Sequence, residues 1–364
     1  MNYLLSIGTA VPPFKHKQSD ILSFMKASLP PHKEKEKRLL DIIYRKSAIA
    51  QRHAILPDFT PAFEKSLLFG PEQEEAPSLE KRMEVYYKHA ADLAAKAAYR
   101  CLGDFDKKEV THLITVSCTG LSAPGLEIAL IEELGLPTTT FRTGINFMGC
   151  YAMFHALRQA DAICARDPEA VVLIAGVELC TLHLQQDDSE DNLMANAIFA
   201  DGAAAALVSH NKKGFQQPLK MNEFHSQLLL KGKQDMAWHL SSKGFLMRLS
   251  SYVPQLIKED IAHWIHGIID QAFPYQTKEE IHWAFHPGGP RILQNIGTAL
   301  ELPKEALGHS YETLKSHGNM SSVTILFVLK RLMDHPKNKS FPIFAAGFGP
   351  GLTMEGLTLV YSEQ

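Results

Sequence analysis

Short apolar runs alternate with amphipathic helical patterns along the chain, and this alternation constrains the fold more than any other feature. Residues 112–116 and 171–176 are mostly or wholly apolar, as strands covered on both faces of a parallel sheet must be. Helical patterns lie between them, near residues 125–134 and 151–164. Strands that alternate with helices in this way predict an α/β protein.

The same rhythm continues on both sides of this central region. Further strands are predicted at 3–7, 203–208, 281–285, 341–346 and 354–361, and further helices from an N-cap at Ser19 and at 79–101, 253–272, 291–300 and 320–333. The polar segment 209–214 contains a glycine and is the best candidate for a division between halves. We therefore predict two halves, residues 1–210 and 211–364, whose similar rhythm suggests an internal duplication.

Composition excludes several classes of protein. The 364 residues are 45% hydrophobic and 21% charged, and a net charge of -3 gives no indication of a nucleic-acid or anionic-membrane partner. The five cysteines show no metal-binding spacing, and their odd number favours a reducing compartment over a disulfide scaffold. No signal peptide is evident, and no apolar run reaches the about 18 residues that a membrane helix needs. We expect a cytoplasmic protein without a bound metal.

Cys150 is the first candidate for chemistry. It follows a segment of poor helix formers, residues 144–149, and precedes a helical pattern at residues 151–157. Free N–H groups and the dipole at a helix start favour the thiolate, which is the nucleophilic form of cysteine. A cysteine is also a small apolar side chain that protein cores often bury, so position alone leaves both interpretations open.

Three loops suit a ligand site. His286 ends a predicted strand and precedes Pro-Gly-Gly-Pro, whose small residues leave room beside the imidazole at a strand's carboxyl end. Asn319 precedes an apolar helix, where it is either an N-cap or an amide donor to an enolate or thioester oxygen. The sequence Gly-Phe-Gly-Pro-Gly at 347–351 is either a plain hairpin turn or a thin floor beneath a substrate cavity.

Taken together, these segments resemble the chalcone synthase-like family of type III polyketide synthases. Five motifs carry the resemblance, in the family's order: Gly-Cys at 149–150, Phe-Ala-Asp-Gly-Ala-Ala-Ala at 199–205, Trp-Ala-Phe-His-Pro-Gly-Gly-Pro at 283–290, Gly-Asn-Met-Ser-Ser at 318–322 and Gly-Phe-Gly-Pro-Gly-Leu-Thr at 347–353. The resemblance implies an α/β thiolase fold, with a duplicated α-β-α-β-α layered architecture and mixed five-stranded sheets. It also implies a homodimer.

The resemblance further implies an activity. Such an enzyme condenses an acyl-CoA starter repeatedly with malonyl-CoA, without an acyl carrier protein, and its CoA thioesters are substrates rather than cofactors. Cys150 would carry the chain as a thioester, and His286 would help to form the Cys150 thiolate. His286 and Asn319 would stabilise the enolate that forms when malonyl-CoA loses carbon dioxide. The product would then cyclise.

The resemblance assigns roles to further residues. Phe199 matches the family's gate between CoA tunnel and cavity, and the other substrate-binding candidates are Cys118, His183, Trp238, Met247, Ser321, Gly349 and Pro350. At five of these cavity positions only Ser321 agrees with plant chalcone synthases, which predicts a bacterial-type enzyme that makes pyrones, resorcinols or similar aromatic polyketides. Arg45, Lys46 and Arg52 fit the family's basic stretch for CoA phosphates, although each also suits an ordinary solvated face.

Two alternatives remain open on the sequence. A ketoacyl-carrier-protein synthase III-like enzyme shares the cysteine, histidine and asparagine but condenses once, and the glycine-rich turn and the His-Pro-Gly-Gly-Pro loop favour the iterative family instead. A non-catalytic thiolase-fold protein that binds acyl chains would be recognised by the loss of a catalytic residue. All three residues are present in this chain.

Overall fold

The computed structural model describes residues 1–59, 66–69, 76–250, 253–335 and 340–361. Strands and helices alternate through most of its first half, as the sequence predicts. In chain order this half contains β1 (Tyr3–Ala10), β2 (Phe14–Lys17), α1 (Gln18–Ser28), α2 (Glu34–Lys46), β3 (Gln51–Ala54), α3 (Leu79–Leu102), β4 (His112–Ser117), α4 (Leu126–Leu134), β5 (Phe141–Asn146), α5 (Ala152–Arg166), β6 (Val171–Leu179), α6 (Glu190–Ile198) and β7 (Asp201–Ser209).

The second half begins with strands and then alternates. It contains β8 (Leu219–Leu228), β9 (Met236–Ser241), β10 (Gly244–Leu249), α7 (Val253–Ala272), β11 (His282–Phe285), α8 (Pro290–Ala299), α9 (Gly308–His317), α10 (Thr324–Met333), β12 (Phe341–Gly349) and β13 (Thr353–Tyr361). The polar segment 209–214 lies between β7 and β8. The division into residues 1–210 and 211–364 stays a prediction.

The two halves share one mixed sheet. Its nine strands run in the order β11-β12-β13-β8-β1-β7-β6-β4-β5. Strand β4 pairs in parallel with β5 and β6, whereas β7 is antiparallel to both β1 and β6. The first half supplies five strands, and among the described residues the second half supplies four, one fewer than the resemblance implies. The halves join where β1 pairs with the start of β8.

Several predicted boundaries differ from the structure. Strand β5 was not predicted because its Arg, Thr, Gly and Asn residues give no apolar run, and most of the strand is not buried. The hairpin strands β9 and β10, which are only partly buried, and the long strand β8 were also missed. Ser19 is not an N-cap, because α1 begins at Gln18 and Lys17 takes the N-cap position. The helical spacing of the sequence places Ile257 on the buried face of α7, but its side chain lies outside the described residues.

Helices cover both faces of the central strands. Every residue of β6 is buried, with Leu173 in one apolar cluster beside α3 and Ile174 in another beside α5. The second cluster also contains residues of α10, β12 and β13, so α5 and α10 bury strands of both halves. This shared core fixes the loops before α5 and α10 relative to each other.

Helix α3 lies unusually close to β1. A Cβ atom added to Gly8 would lie 2.2 Å from the carbonyl oxygen of Ala97 and 2.3 Å from the amide nitrogen of Cys101. The small side chains of α3, including Ala94 and Ala97, allow this approach. The helical spacing of the sequence also places Tyr87 on the face of Ala94 and Ala97, but Tyr87 is 53% exposed.

The close approach of Gly8 predicts a specific sensitivity to added volume. Gly8→Ala should lower the thermal midpoint because its methyl group meets helix backbone that cannot move aside, at a cost of about 1–3 kcal/mol or more. Gly267→Ala in α7 is the matched control: no atom lies within 4 Å of its added Cβ. That control should stabilise by about 0.5–1 kcal/mol. Thermal unfolding tests both, and equal midpoints would contradict the close contact.

Candidate active site

Cys150, His286 and Asn319 line one small cavity. Their exposed fractions are 9%, 1% and 1%. Cys150 lies between β5 and α5, His286 follows β11, and Asn319 lies between α9 and α10. The structure thus brings together three residues that the sequence places in three separate loops.

The loop that carries Cys150 packs against the glycine-rich turn between β12 and β13. Gly149 has a φ of +87°, and a Cβ atom there would lie 2.3 Å from Cδ of Pro350. A Cβ atom on Gly349 would lie 2.6 Å from the ring of Tyr151. Glycine is therefore required on both sides of this contact. Pro350 lines the cavity, whereas Gly349 supports the loop from behind and is not among the lining residues.

Backbone hydrogen bonds hold Asn319 beside Phe199. The Asn319 amide donates to the carbonyl of Ile198, and the Ala200 amide donates to the carbonyl of Asn319, both at 2.9 Å. The Asn319 side chain accepts a bond from the Ser321 amide at 2.9 Å and donates through Nδ2 to Gly288 at 3.3 Å. Asn319 therefore caps the following turn and also holds an amide N–H at the cavity.

The His286 imidazole is buried without a protein partner. Its backbone amide donates to Ala346 at 2.8 Å, but neither ring nitrogen has a hydrogen-bond partner among the described residues. Burial lowers the pKa of His286 to about 3, so the ring is neutral at physiological pH. A neutral imidazole offers one donor and one acceptor, and both are free for a ligand in this cavity.

Burial also dominates the chemistry of Cys150. It raises the pKa of the thiol to about 12, although a hydrogen bond to Ser321 at 3.7 Å acts in the opposite direction. The resting thiol is therefore protonated, contrary to the thiolate expected from its place before a helix. The proton must leave as the new bond forms, and the neutral His286 ring is a base that lines the same cavity.

A buried carboxylate that the sequence reasoning missed lies beside this site. Glu178 accepts hydrogen bonds from the Cys118 amide at 2.9 Å, the Thr119 hydroxyl at 3.0 Å and the Ser322 hydroxyl. Burial raises the pKa of Glu178 to about 7. It thereby ties the end of β4 to the segment after Asn319. Its signal in the sequence was a single carboxylate within the otherwise apolar strand β6.

Most of the predicted substrate-binding residues reach the Cys150 cavity. Those that line it are Phe199, Trp238, Met247, Ser321 and Pro350. The sequence reasoning did not single out Gly288, Phe348, Met236 and Ile292, which also line it. The first two lie within the recognised motifs, whereas a methionine and an isoleucine carry no chemical signal.

Two predicted substrate-binding residues have structural partners instead. The thiol of Cys118 accepts a bond from the Gly149 amide at 3.0 Å, so Cys118 supports the nucleophile loop. His183 uses both ring nitrogens, with the Thr119 carbonyl at 2.8 Å and the Phe245 amide at 3.1 Å, and it stacks on the Phe245 ring. Neither residue lines the Cys150 cavity, although His183 lines a neighbouring cavity that shares Phe199, Trp238 and Met247 with it.

The three basic candidates have different environments. Lys46 lines an open cavity of about 170 Å³ that shares Gly288 and Ile292 with the Cys150 cavity. We call it the entrance cavity. Arg45 is exposed but is not among the residues that line this entrance. Arg52 is only 4% exposed and is not among the residues that line this cavity, and its role as a CoA ligand stays a prediction. Arg291, which the sequence reasoning missed, lies at the entrance with Lys46.

Other kinds of site were also sought in the part of the chain that the structure describes. Within it, no group of three or more His, Cys, Asp or Glu side chains could hold a metal ion. No helix of the described ranges has both the length and the apolar character needed to cross a membrane.

Known proteins resemble the chain over nearly its whole length. It is 31% identical to "Probable polyketide synthase 1" of Dictyostelium discoideum over 98% of this chain but 11% of that protein, so it spans about a tenth of that relative. It is 28% identical to "Alpha-pyrone synthesis polyketide synthase-like Pks18" of Mycobacterium tuberculosis, covering 86% of this chain and 80% of the relative. The crystal structure of PKS-I from the brown alga Ectocarpus siliculosus superimposes with a TM-score of 0.91 at 28% identity, covering 99% and 98% of the chains.

The family assignment covers both halves. Residues 1–212 match the N-terminal domain of chalcone and stilbene synthases, and residues 220–362 match the C-terminal domain. The similar proteins come from an amoeba, a mycobacterium and a brown alga, so a bacterial rather than a plant type stays a prediction. The thiolase fold expected from the motifs is confirmed. The chain therefore belongs to the chalcone and stilbene synthase family of type III polyketide synthases, which are condensing acyltransferases.

Proposed function

We propose that the chain condenses malonyl-CoA repeatedly onto an acyl-CoA starter that is held as a thioester on Cys150. The observation that carries this proposal is the single buried cavity that Cys150, His286 and Asn319 share. A nucleophile, a neutral base and an amide donor are the groups that acyl transfer and enolate formation need. We propose no cofactor and no acyl carrier protein.

The first step loads the starter. Cys150 Sγ attacks the starter's thioester carbon while His286 accepts the thiol proton, and the departing CoA sulfur then takes that proton. Burial disfavours a free thiolate and a free imidazolium, so a direct transfer between the two groups avoids exposing either charge alone. The acyl group is then held on Cys150.

The second step forms the new carbon–carbon bond. The malonyl group loses carbon dioxide, and the electron pair of the broken bond gives an enolate whose oxygen accepts bonds from His286 and Asn319. The enolate carbon attacks the Cys150 thioester, and the thiolate of Cys150 leaves. The lengthened chain, now on CoA, returns to Cys150 for the next cycle.

The entrance cavity is suited to the CoA part of the substrates. Lys46 and Arg291 are its two basic lining residues, and the N-terminus of α8 lies between this cavity and Cys150. Both cations and helix N-termini attract phosphates. We propose that the pantetheine arm passes Gly288 and Ile292, which belong to both cavities. Arg291 thus takes the role of CoA-phosphate ligand that the sequence suggested for Arg52.

The product is proposed only as a class. The wall of the Cys150 cavity carries Phe199, Trp238 and Met247, and the mycobacterial relative is named for α-pyrone synthesis. We propose a pyrone, a resorcinol or a similar small aromatic polyketide. Mass spectrometry of products from a panel of acyl-CoA starters with malonyl-CoA identifies the starter and the number of extensions.

We also propose a homodimer formed through the edge of the sheet at β5. Within the described residues this strand pairs only with β4, and an unpaired edge is a site where another chain can bind. Phe141 at its start is 69% exposed, and Leu121 and Ile128, in the segment between β4 and β5, are 38% and 36% exposed. A second copy that pairs with this edge would bury these side chains.

The assignment of Cys150 as the nucleophile predicts that its replacement abolishes acylation and condensation. Cys150→Ala should prevent acylation and reduce condensation by about 10³-fold or more, because no other group can hold the chain. Intact-mass spectrometry after incubation with acyl-CoA detects the adduct. Cys164→Ala, at a buried cysteine of α5, is the control and should still be acylated. Retained chain extension in the Cys150 variant would refute the assignment.

Replacement of His286 or Asn319, the two proposed donors, should slow a different step, the decarboxylation of malonyl-CoA. His286→Ala and Asn319→Ala should each slow malonyl-CoA decarboxylation by about 10²-fold or more, because the enolate oxygen loses a donor. Release of carbon dioxide measures this step without a starter. His335→Ala, an exposed histidine after α10, is the control. Unchanged decarboxylation in both site variants would assign them a purely structural role.

The proposed dimer edge predicts a change of oligomeric state. Phe141→Glu should shift the protein towards monomer, because a charge would be buried at the interface. Leu230→Glu is a matched control, since Leu230 is 73% exposed in the second half of the chain. Light scattering after size-exclusion chromatography gives the mass of each. Equal masses for both variants and the parent protein would argue against this interface.

A further inference from the structure

A cluster of polar side chains lies behind the loop that carries Cys150. Tyr151 and His155 share one face at the start of α5, and their ring centroids are 5.4 Å apart. Nε2 of His155 lies 3.4 Å from a carboxylate oxygen of Glu355 on β13. The Ser226 hydroxyl on β8 donates to the same oxygen at 2.6 Å. We call Tyr151, His155 and Glu355 the support cluster.

The contacts of the His155 ring decide which of its nitrogens carries the proton. Nδ1 of His155 lies 2.8 Å from Nη2 of Arg158. A guanidinium can only donate, so Nδ1 is the acceptor, and the neutral ring carries its proton on Nε2, the nitrogen beside Glu355. This N–H and the carboxylate attract each other. The imidazole is therefore held from both sides next to the ring of Tyr151.

The support cluster also contacts the glycine-rich turn between β12 and β13. The ring of Tyr151 packs on the backbone of this turn, and its hydroxyl interacts with Thr353. The Thr353 hydroxyl donates to the carbonyl of Pro350 at 3.2 Å. Because Thr353 and Glu355 occupy alternate positions of β13, their side chains lie on the same face. A shift of the Tyr151 ring would therefore move both Cys150, its neighbour in the chain, and the turn that lines the cavity.

Stability alone does not account for a carboxylate at this position. Glu355 is 3% exposed, and Leu357 and Leu359, farther along the same strand, belong to an apolar core. Burial of a carboxylate costs solvation. Replacement of a buried polar pair by apolar side chains is often neutral or stabilising. An orienting role therefore explains the pair of His155 and Glu355 better than packing does.

We propose that His155 and Glu355 are positioning residues for the loading step: they fix the ring of Tyr151 and thereby hold Cys150 Sγ where it reaches the thioester carbon of the starter. The proposal rests on the proposed function, because it concerns the acylation of Cys150. The expected effect is large for residues outside the cavity, since a nucleophile misplaced by about 1 Å can lose about 10²-fold in rate.

The two proposed donors of the second step are held by other contacts. The His286 amide donates to Ala346, and the backbone of Asn319 is bonded to residues 198 and 200. Loss of the support cluster should therefore slow the loading of Cys150 and leave the decarboxylation of malonyl-CoA as it is. A general loosening of the fold would slow both steps.

Single replacements test the positioning role. Glu355→Ala and His155→Ala should each slow the acylation of Cys150 by about tenfold or more, because the nucleophile is less often in place. Rapid-quench intact-mass spectrometry with excess acyl-CoA measures this rate. Release of carbon dioxide from malonyl-CoA measures the second step, which should stay at the parent's rate. His335→Ala, at an exposed histidine after α10, is the control and should change neither rate.

Conservative and apolar replacements separate orientation from packing. Glu355→Gln keeps an oxygen acceptor for His155 and Ser226, so it should retain most of the acylation rate. The double variant His155→Phe with Glu355→Leu fills the space without polar atoms. It should unfold at the parent's temperature or above it, yet be acylated as slowly as the alanine variants. Parent-like acylation of the double variant, or a glutamine variant as slow as the alanine variant, would overturn the proposal.

Thermal unfolding shows which variants fold. If Glu355→Ala does not fold, His155→Ala decides, because the His155 side chain is 19% exposed and tolerates truncation better. Folded alanine variants that are acylated at the parent's rate would refute the positioning role, and so would acylation and decarboxylation rates that fall together. A parent protein that forms no acyl adduct on Cys150 would instead overturn the proposed function, so the two failures are distinguishable.

Discussion

Two backbone hydrogen bonds between residues 198–200 and Asn319 connect the halves at the Cys150 cavity. They place Phe199, the predicted gate residue, beside Asn319, the proposed amide donor, although the two lie far apart in the chain. The shared core of α5 and α10 brings the Cys150 loop to the same point. The cavity therefore depends on main-chain geometry, which side-chain substitutions change least.

Burial then sets the electrostatics of the cavity. The thiol of Cys150, the imidazole of His286 and the carboxyl of Glu178 all lie where charge is poorly solvated. Burial therefore raises the pKa of the thiol and of the carboxyl and lowers the pKa of the imidazole, which in each case favours the neutral form. At physiological pH the thiol of Cys150 and the imidazole of His286 are therefore uncharged before a substrate binds. Charge appears only during reaction, when fixed donors and the opposite partner are already in position.

The sequence predicted the parts of this molecule that depend on regular patterns. Alternating apolar runs and helical periodicity gave the α/β class, and glycine-rich loops around Cys150, His286 and Asn319 identified the cavity. What the sequence could not supply was the direction of individual side chains. Arg52 looks like a surface cation in a basic segment, yet β3 turns it inward. Cys118 and His183 have the right positions in the chain, but backbone atoms satisfy their polar groups.

The wall of Phe199, Trp238 and Met247 has a consequence for how such enzymes diversify. The same three side chains line both the Cys150 cavity and a neighbouring cavity, so the volumes of these two compartments are not independent. A smaller residue at any of the three positions joins the compartments, and a larger one takes space from at least one of them. Single substitutions at these three positions would therefore change the space beside Cys150 in steps, while the backbone that positions Cys150 and Asn319 stays as it is.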